Sequence, residues 1–451
     1  IIESEGSDSA MLDNVIEFMV MNGRSLMRSV SMAVPEPWDH NDALSERRRD
    51  WDAYQSMVMD AWDGPAALAF TDGEITGAAL DRIHRPQFDW RLFAITVFFS
   101  VTGVFLMYVT GALGSEQNQL VRQFAFTALG IGIIILICFV DYTFIGKYPV
   151  QIYIIMTVAF YIYHKTGRQV NGLRAPALRS LVYLYAPVYA GLLYKYRGKG
   201  IFGIIKLFGF LLLTALLSQW FATSLYVNLS IGAICTLLLL YAIMKGWFPT
   251  RTFKIGKNQI TAPVLAASVF IFVLLVFAVY FSVFAADYQK MRLMAFLDPN
   301  AYMDANYQIL ATRRAINGAQ IFGESTQGTI IKQFVQQDTF LIFAQVVAMY
   351  GLIAGAAIIT AFAAFAYRAL HVVRHQKNQL GIILSAACFL LVFFNCTTGI
   401  LMNFGLLPMS SLQFPFLSRG GSGTIMYAVI IGLLMSCRRY EKITDLSADV
   451  R

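Results

Sequence analysis

Residues 287–340 read DYQKMRLMAFLDPNAYMDANYQILATRRAINGAQIFGESTQGTIIKQFVQQDTF. On either side lie apolar runs, 262–285 and 339–367, and a helix of about 20 such residues is enough to cross a bilayer. The stretch between them cannot sit in hydrocarbon. It holds Arg292, Asp298-Pro299, Tyr307-Gln308, Arg313-Arg314, Gly323-Glu324, Lys332 and Asp338, and a charge at the bilayer centre costs about 3 kcal/mol even on the most lenient scale. Segment 286–338 is therefore expected to be a large extracytoplasmic loop, the working surface of a polytopic membrane protein.

Composition agrees with that setting. The chain is 57% hydrophobic and 14% charged, with a mean hydropathy of +0.58, values that exclude an ordinary soluble domain. Apolar runs recur near 91–112, 120–140, 148–164, 176–194, 204–226, 229–247, 262–285, 339–367, 379–402 and 423–437. The expected fold is an all-α polytopic membrane protein of about ten transmembrane helices, preceded by a small soluble α+β fragment. The segment near Ile1 lacks the basic-then-apolar layout of a signal peptide, so insertion is expected from the internal spans.

The net charge of +8 hides two unlike parts. Residues 1–84 carry sixteen acidic residues against six arginines, a net of −10, whereas 85–451 carry a net of +18. So abrupt a change argues for two segments: a soluble domain over 1–84 and a membrane domain over 85–451. All five cysteines (Cys138, Cys235, Cys388, Cys396, Cys437) fall in the second, inside apolar runs and without a C-x-x-C pair. They read as buried small apolar residues. His164, His371 and His375 lack a ligand constellation, and no metal site is expected.

Lys and Arg placement sets the orientation. Ten spans put both termini on one side, together with Lys195, Arg197, Lys199 and Lys206, then Lys245, Arg251, Lys254 and Lys257, then Arg368, Arg374 and Lys377, then Arg438, Arg439 and Lys442. That side is the cytoplasm. Two outer loops break the rule: His164–Arg179, with Lys165, Arg168, Arg174 and Arg179, and the long loop, with Lys290, Arg292, Arg313, Arg314 and Lys332. Cations kept where topogenesis disfavours them suggest an anionic ligand, because guanidinium groups hold phosphates through paired charge-assisted hydrogen bonds. Alternatively, the longer loop escapes the rule by its length and the shorter contacts lipid headgroups.

Further motifs narrow the chemistry. Arg292–Pro299 reads RLMAFLDP; later come Tyr307-Gln308, Ala315–Gly318, Ile321–Gly323, Gly405–Pro408 (GLLP) and Pro415–Ser422 (PFLSRGGS). In this order and beside these spans, residues 88–439 resemble the FtsW/RodA/SpoVE family, also called SEDS proteins. The resemblance implies ten spans, a place in the bacterial plasma membrane, and polymerisation of the lipid-linked disaccharide-peptide precursor of peptidoglycan (lipid II) beside a class B penicillin-binding protein. Membrane lipids and lipid II would be its ligands; nothing suggests nucleic acid. Glycosyl transfer from a polyprenyl pyrophosphate needs cations at the leaving group and a carboxylate to deprotonate the acceptor hydroxyl. Arg292, Arg313, Arg314, Lys332, Arg168 and Arg174 are the expected pyrophosphate ligands, with Asp298, Ser418 and Arg419 as further substrate contacts. No cofactor is implied beyond a divalent cation that could accompany the pyrophosphate.

The chain departs from the family where chemistry is expected. The family's L-P-E-x-H-T-D-F, whose aspartate is the implied catalytic residue, corresponds here to FVQQDTFL, Phe334–Leu341. Aligned without gaps, that aspartate falls on Phe340 and the histidine on Asp338. Asp338 is the candidate base, through a two-residue shift. The family's R-W and Q-P-S-E segment is absent after Gly172, and Ala348-Met349 replaces an acidic pair. A non-catalytic homologue that binds or flips the precursor, or scaffolds wall-synthesis partners, is the alternative. Asn395 and Asn403 read as interhelical hydrogen-bond partners, and Gly420-Gly421 as a tight turn whose N–H groups could meet phosphate.

The N-terminal part has a different resemblance. Ser7–Ala10, Asn22–Leu26, Val34–Trp38, Trp62–Ala67, Ala69–Gly73 and Leu80–Arg82 resemble the amidotransferase domain of the glutamate synthase large subunit. That family uses an N-terminal cysteine as nucleophile, and residues 1–84 contain none. Without a thiolate there is no acyl transfer, so this fragment is expected to be inactive.

Overall fold

The computed structural model describes 8–33, the single residues 47, 50, 51 and 54, 67–71, 76–80 and 88–440, the last range excepting 112–116, 168, 171–172, 175–176, 223, 249–253, 256–257, 260, 285–286, 299–302, 326–339, 377, 409 and 411. It divides into two compact units, one ending at Pro86 and the other running over Gln87–Glu441.

In the first unit, α1 (Asp8–Met21) and α2 (Leu26–Ala33) enclose a small core of Leu12, Met19, Met32 and Ala33. Gly23, at φ +80°, turns the chain between them. Strands β1 (Ala67–Thr71) and β2 (Thr76–Leu80) pair antiparallel with Phe70 opposite Gly77, the α+β fragment expected from the broken apolar pattern.

The second unit is helical. Its elements are α3 (Trp90–Gly111), α4 (Gln117–Cys138), α5 (Pro149–Thr166), α6 (Tyr185–Tyr196), α7 (Gly200–Ala222), α8 (Leu225–Met244), α9 (Ala262–Phe284), α10 (Asp287–Leu297), α11 (Met303–Asn317), α12 (Ile342–Tyr350), α13 (Leu352–His375), α14 (Gln379–Asn403) and α15 (Gly421–Arg439). Among the described residues eight helices, α3, α4, α7, α8, α9, α13, α14 and α15, are long and apolar enough to cross a membrane. The third expected span is α5. The fourth is broken into a helical turn (Leu178–Leu181), a 3-10 turn (Val182–Leu184) and α6. Pro187 lies in the first turn of α6, where no intrahelical partner for its missing N–H is required.

The eighth expected span differs from its reading as one helix. Gly351, at φ +90°, separates α12 from α13. A Cβ there would stand 2.6 Å from the Ile321 carbonyl oxygen. Instead the Leu352 and Ile353 N–H groups donate to the carbonyls of Gln320 and Ile321, at 2.9 and 3.3 Å. The break thus lets the segment at Gln320-Ile321 cap a helix start whose N–H groups have no partner of their own. With 24 residues at about 1.5 Å each, α13 is by itself long and apolar enough to cross a membrane.

Helix α14 is the axis of the unit. Ile383, Leu384, Ala387, Cys388, Leu391, Val392 and Cys396 along it are buried, and α6, α8, α13 and α15 pack around it. Helix α15 lies along α4 through small residues: a Cβ on Gly130 would sit 3.3 Å from Thr424, and one on Gly432 would sit 2.8 Å from the Cβ of Ile137. Close backbone approach of this kind replaces the hydrophobic effect as the glue between helices in lipid. At the opposite end from the long loop, Asp89 caps α3 by accepting the Leu92 N–H at 3.1 Å. It also receives Arg368 of α13 at 2.9 to 3.1 Å. All five cysteines are buried, and none is paired in a disulfide.

Candidate functional site

The C-terminal end of α14 gathers the helix that follows the long loop and a helix from within that loop. Asn403, the last residue of α14, is buried. Its Oδ1 accepts the Ala344 N–H at 3.0 Å, and its Nδ2 donates to the carbonyls of Phe340 at 3.0 Å and Gly399 at 2.7 Å. One amide thereby uses its acceptor and both donor hydrogens. The opposite amide orientation would set NH2 against the Ala344 N–H, so the network itself fixes how the side chain sits.

Two residues on, the backbone turns at Gly405, φ +69°. There Arg313 of α11 donates from Nε to the Phe404 carbonyl at 3.3 Å and from a terminal nitrogen to the Gly405 carbonyl at 3.4 Å. These carbonyls lie at a helix C-terminus, where the backbone carries partial negative charge. The loop chain after α11 is tied in as well: Ser325 donates from its N–H to the Ala348 carbonyl at 2.7 Å and from its hydroxyl to the Gly318 carbonyl at 2.8 Å.

A second buried network holds the Pro415–Ser422 turn. Ser418 accepts the Phe414 N–H on its hydroxyl at 2.7 Å, closing the turn in which Phe416 adopts φ 59°. The Gln413 side-chain oxygen accepts the Ser180 hydroxyl at 2.9 Å, and the Gln413 carbonyl accepts the Tyr427 hydroxyl at 3.1 Å. Tyr427 in turn accepts from Asn395 at 2.9 Å. From α4, Gln123 accepts the Gly420 N–H at 3.1 Å and donates to Thr424 at 3.2 Å. The Gly420 N–H is thus engaged by protein.

The sequence-derived residues fall into three groups. Asp338, Lys332 and Arg168 lie outside the described residues. Arg292 is placed in α10 and Arg174 in a two-residue strand (Leu173–Arg174) paired with Gln169-Val170, by backbone alone. Of the remainder, Arg314 and Asp298 are exposed and Arg419 partly so, while Arg313 and Ser418 make the backbone contacts just described. Both have a structural task that the expectation of a substrate contact omitted. Asn395 and Asn403 are tertiary hydrogen-bond residues as expected. Sequence reasoning did not see that Asn403 meets the loop flank at Phe340, the position that corresponds to the family's aspartate. The signal was a buried-type amide at the very end of an apolar run.

Known proteins match the two parts separately. Residues 1–87 match the model of class-II glutamine amidotransferases. Over 82 residues the chain is 48% identical to the glutamate synthase (NADPH) large chain of Bacillus subtilis, and over 83 residues 51% identical to the glutamate synthase (NADH) of Saccharomyces cerevisiae. Each match covers 18% of this chain but only 5% and 4% of those proteins, so the chain spans about one-twentieth of their length. The fold of the membrane part is that of a structure described as "Structural coordination of polymerization and crosslinking by a peptidoglycan synthase complex", with TM-score 0.59 and 16% identity over 79% of this chain and 98% of that one. Thermus thermophilus Rod shape determining protein RodA is similar at TM-score 0.50 and 13% identity, with the same coverage. Residues 199–443, more than half of the chain, match the FtsW/RodA/SpoVE model, described as cell cycle protein, and the chain belongs to that family.

Proposed function

We propose that this chain is a peptidoglycan glycosyltransferase of the bacterial plasma membrane that polymerises lipid II beside a class B penicillin-binding protein, with both termini cytoplasmic. The supporting observation is the junction at Asn403. There a RodA-like bundle ties α12, which follows the polar loop, and α11, within it, to one helix end. The carboxylate of Asp338 stands two residues before Phe340 in the chain and acts as the base that takes the acceptor hydroxyl proton. Arg314, with Arg292, Lys332, Arg168 and Arg174, neutralises the departing pyrophosphate, and Asp298, Ser418 and Arg419 border the substrate. A divalent cation, where present, accompanies the pyrophosphate.

The test is polymerisation of lipid II by the purified full chain with its penicillin-binding partner, read as glycan length on gels. Wild type is expected to make polymer and Asp338→Ala about 100-fold less, the usual loss on removing a general base. Undiminished product from the variant would overturn the base; no product from either would overturn the polymerase.

Phe340 at the position corresponding to the family's aspartate favours a second reading: precursor binding, flipping or scaffolding without chain growth. It predicts lipid II binding that Arg314→Glu abolishes, with no glycan formed by wild type.

A further inference from the structure

We propose that Asn403 is a positioning residue for the outer site, acting through Phe340; this rests on the glycosyltransferase reading above. The chain enters α12 at Leu341, which is buried, and the five residues that follow it are buried as well. Nothing local orders that entry strongly. Leu341, which precedes α12, makes no side-chain cap, and the residues of the first turn are apolar. The Asn403 amide supplies what the local sequence lacks. It holds the Phe340 carbonyl on one side and the Ala344 N–H on the other, so it brackets the first turn of α12 and fixes the backbone of Phe340, two positions after Asp338 in the chain. Its own place is set by the Gly399 carbonyl and by the turn at Gly405, against which Arg313 lies. Packing of Phe343 on Phe404, ring centroids 5.6 Å apart, supports the same junction.

The side-chain chemistry is restrictive. An aspartate has nearly the same shape but no hydrogen to give, and it would set a carboxylate oxygen against two carbonyl oxygens. A residue needed only for packing would tolerate that exchange; a residue needed for this clamp would not. A base that must meet a sugar hydroxyl is sensitive to displacement of about 1 Å, which can lower turnover 100-fold.

The experiment compares wild type, Asn403→Asp, Asn403→Ala and the milder Asn403→Ser in full-length protein with its penicillin-binding partner, using lipid II as substrate. Two readouts are taken: kcat and KM for polymerisation, and hydrogen–deuterium exchange over residues 340–348 and 383–392. The expected result is a kcat lowered tenfold to 100-fold in both the Asp and Ala variants, with KM within about twofold of wild type. Exchange should quicken over 340–348 and stay unchanged over 383–392, the middle of α14, which reports that the bundle is folded. A kcat equal to wild type in Asn403→Asp overturns the proposal, as does a loss carried by KM alone. If wild type forms no polymer, the glycosyltransferase reading fails by itself and exchange decides the remainder. Unchanged protection over 340–348 in folded Asn403→Ala then overturns the clamp, and lost protection confined to 340–348 supports it. Should Asn403→Ala not fold, Asn403→Ser carries the same comparison.

Discussion

Arg313 lies so close to the backbone at Gly405 that a Cβ on residue 405 would stand 2.7 Å from its Nε. The contact joins α11, in the middle of the polar loop, to the C-terminal end of α14.

Gly405→Ala therefore meets two penalties, the crowding of Arg313 and a left-handed backbone of φ +69°. The φ penalty alone is about 1 to 2 kcal/mol. Arg313→Lys should lose about 1 kcal/mol, because an ammonium cannot serve two adjacent carbonyls in fork geometry. Thermal unfolding in detergent measures both, and Gly405→Ala should lower the midpoint further than Arg313→Lys.

Asp89 and Arg368 make the ion pair at the other end of the bundle. The Asp89 carboxylate is 1% exposed and the Arg368 side chain 19%. Arg368→Met strands a buried carboxylate and is expected to destabilise by about 3 kcal/mol. The double variant Asp89→Leu, Arg368→Met removes both charges and should recover most of that loss. Equal stability of the single and double variants would contradict the pairing.

Glycine in a membrane helix is required only where another group occupies the place of a Cβ. At Gly423 that place is taken by the side-chain oxygen of Gln413, whereas at Gly132 nothing lies within 4 Å. Gly423→Ala should displace Gln413 and with it the Ser180 contact, costing about 1 to 3 kcal/mol. Gly132→Ala should be neutral or slightly stabilising, since alanine is the better helix former by about 1 kcal/mol. Parallel melting curves of the two variants provide the comparison.

Tyr427 both donates and accepts inside the bundle, giving to the Gln413 carbonyl and receiving from Asn395. Tyr427→Phe leaves those two groups without that partner and is expected to cost about 1 to 3 kcal/mol. A double-mutant cycle with Asn395→Leu should show non-additivity of at least about 0.5 kcal/mol, as neighbours in one network do.

Much of the fold was legible in the sequence. The apolar runs locate α3, α4, α7, α8, α9, α14 and α15 within a few residues, because lipid rewards length and hydropathy one helix at a time. The interrupted fourth span carried its own notice in Pro187 and the tyrosines around it. Harder to read were Gly351, which looks like any other glycine in an apolar run, and Arg313, which looks like a phosphate ligand because its partners are backbone carbonyls of Phe404 and Gly405.

The sequence by itself determined that this is a bundle of apolar helices interrupted by a long polar, basic segment, with an acidic glutamate-synthase-like fragment before it. Each of those depends on residue type alone or on near neighbours in the chain. Only the tertiary structure decided that α12 and α13 are separate helices and that Asn403 holds Phe340 and Ala344. It alone placed Arg313 and Ser418 on backbone groups. The reason is physical: a side-chain amide or guanidinium takes its hydrogen-bond partners wherever the packed helices present them, and the Phe340, Ala344, Phe404 and Gly405 backbone groups that Asn403 and Arg313 meet lie 59 to 92 positions away in the chain.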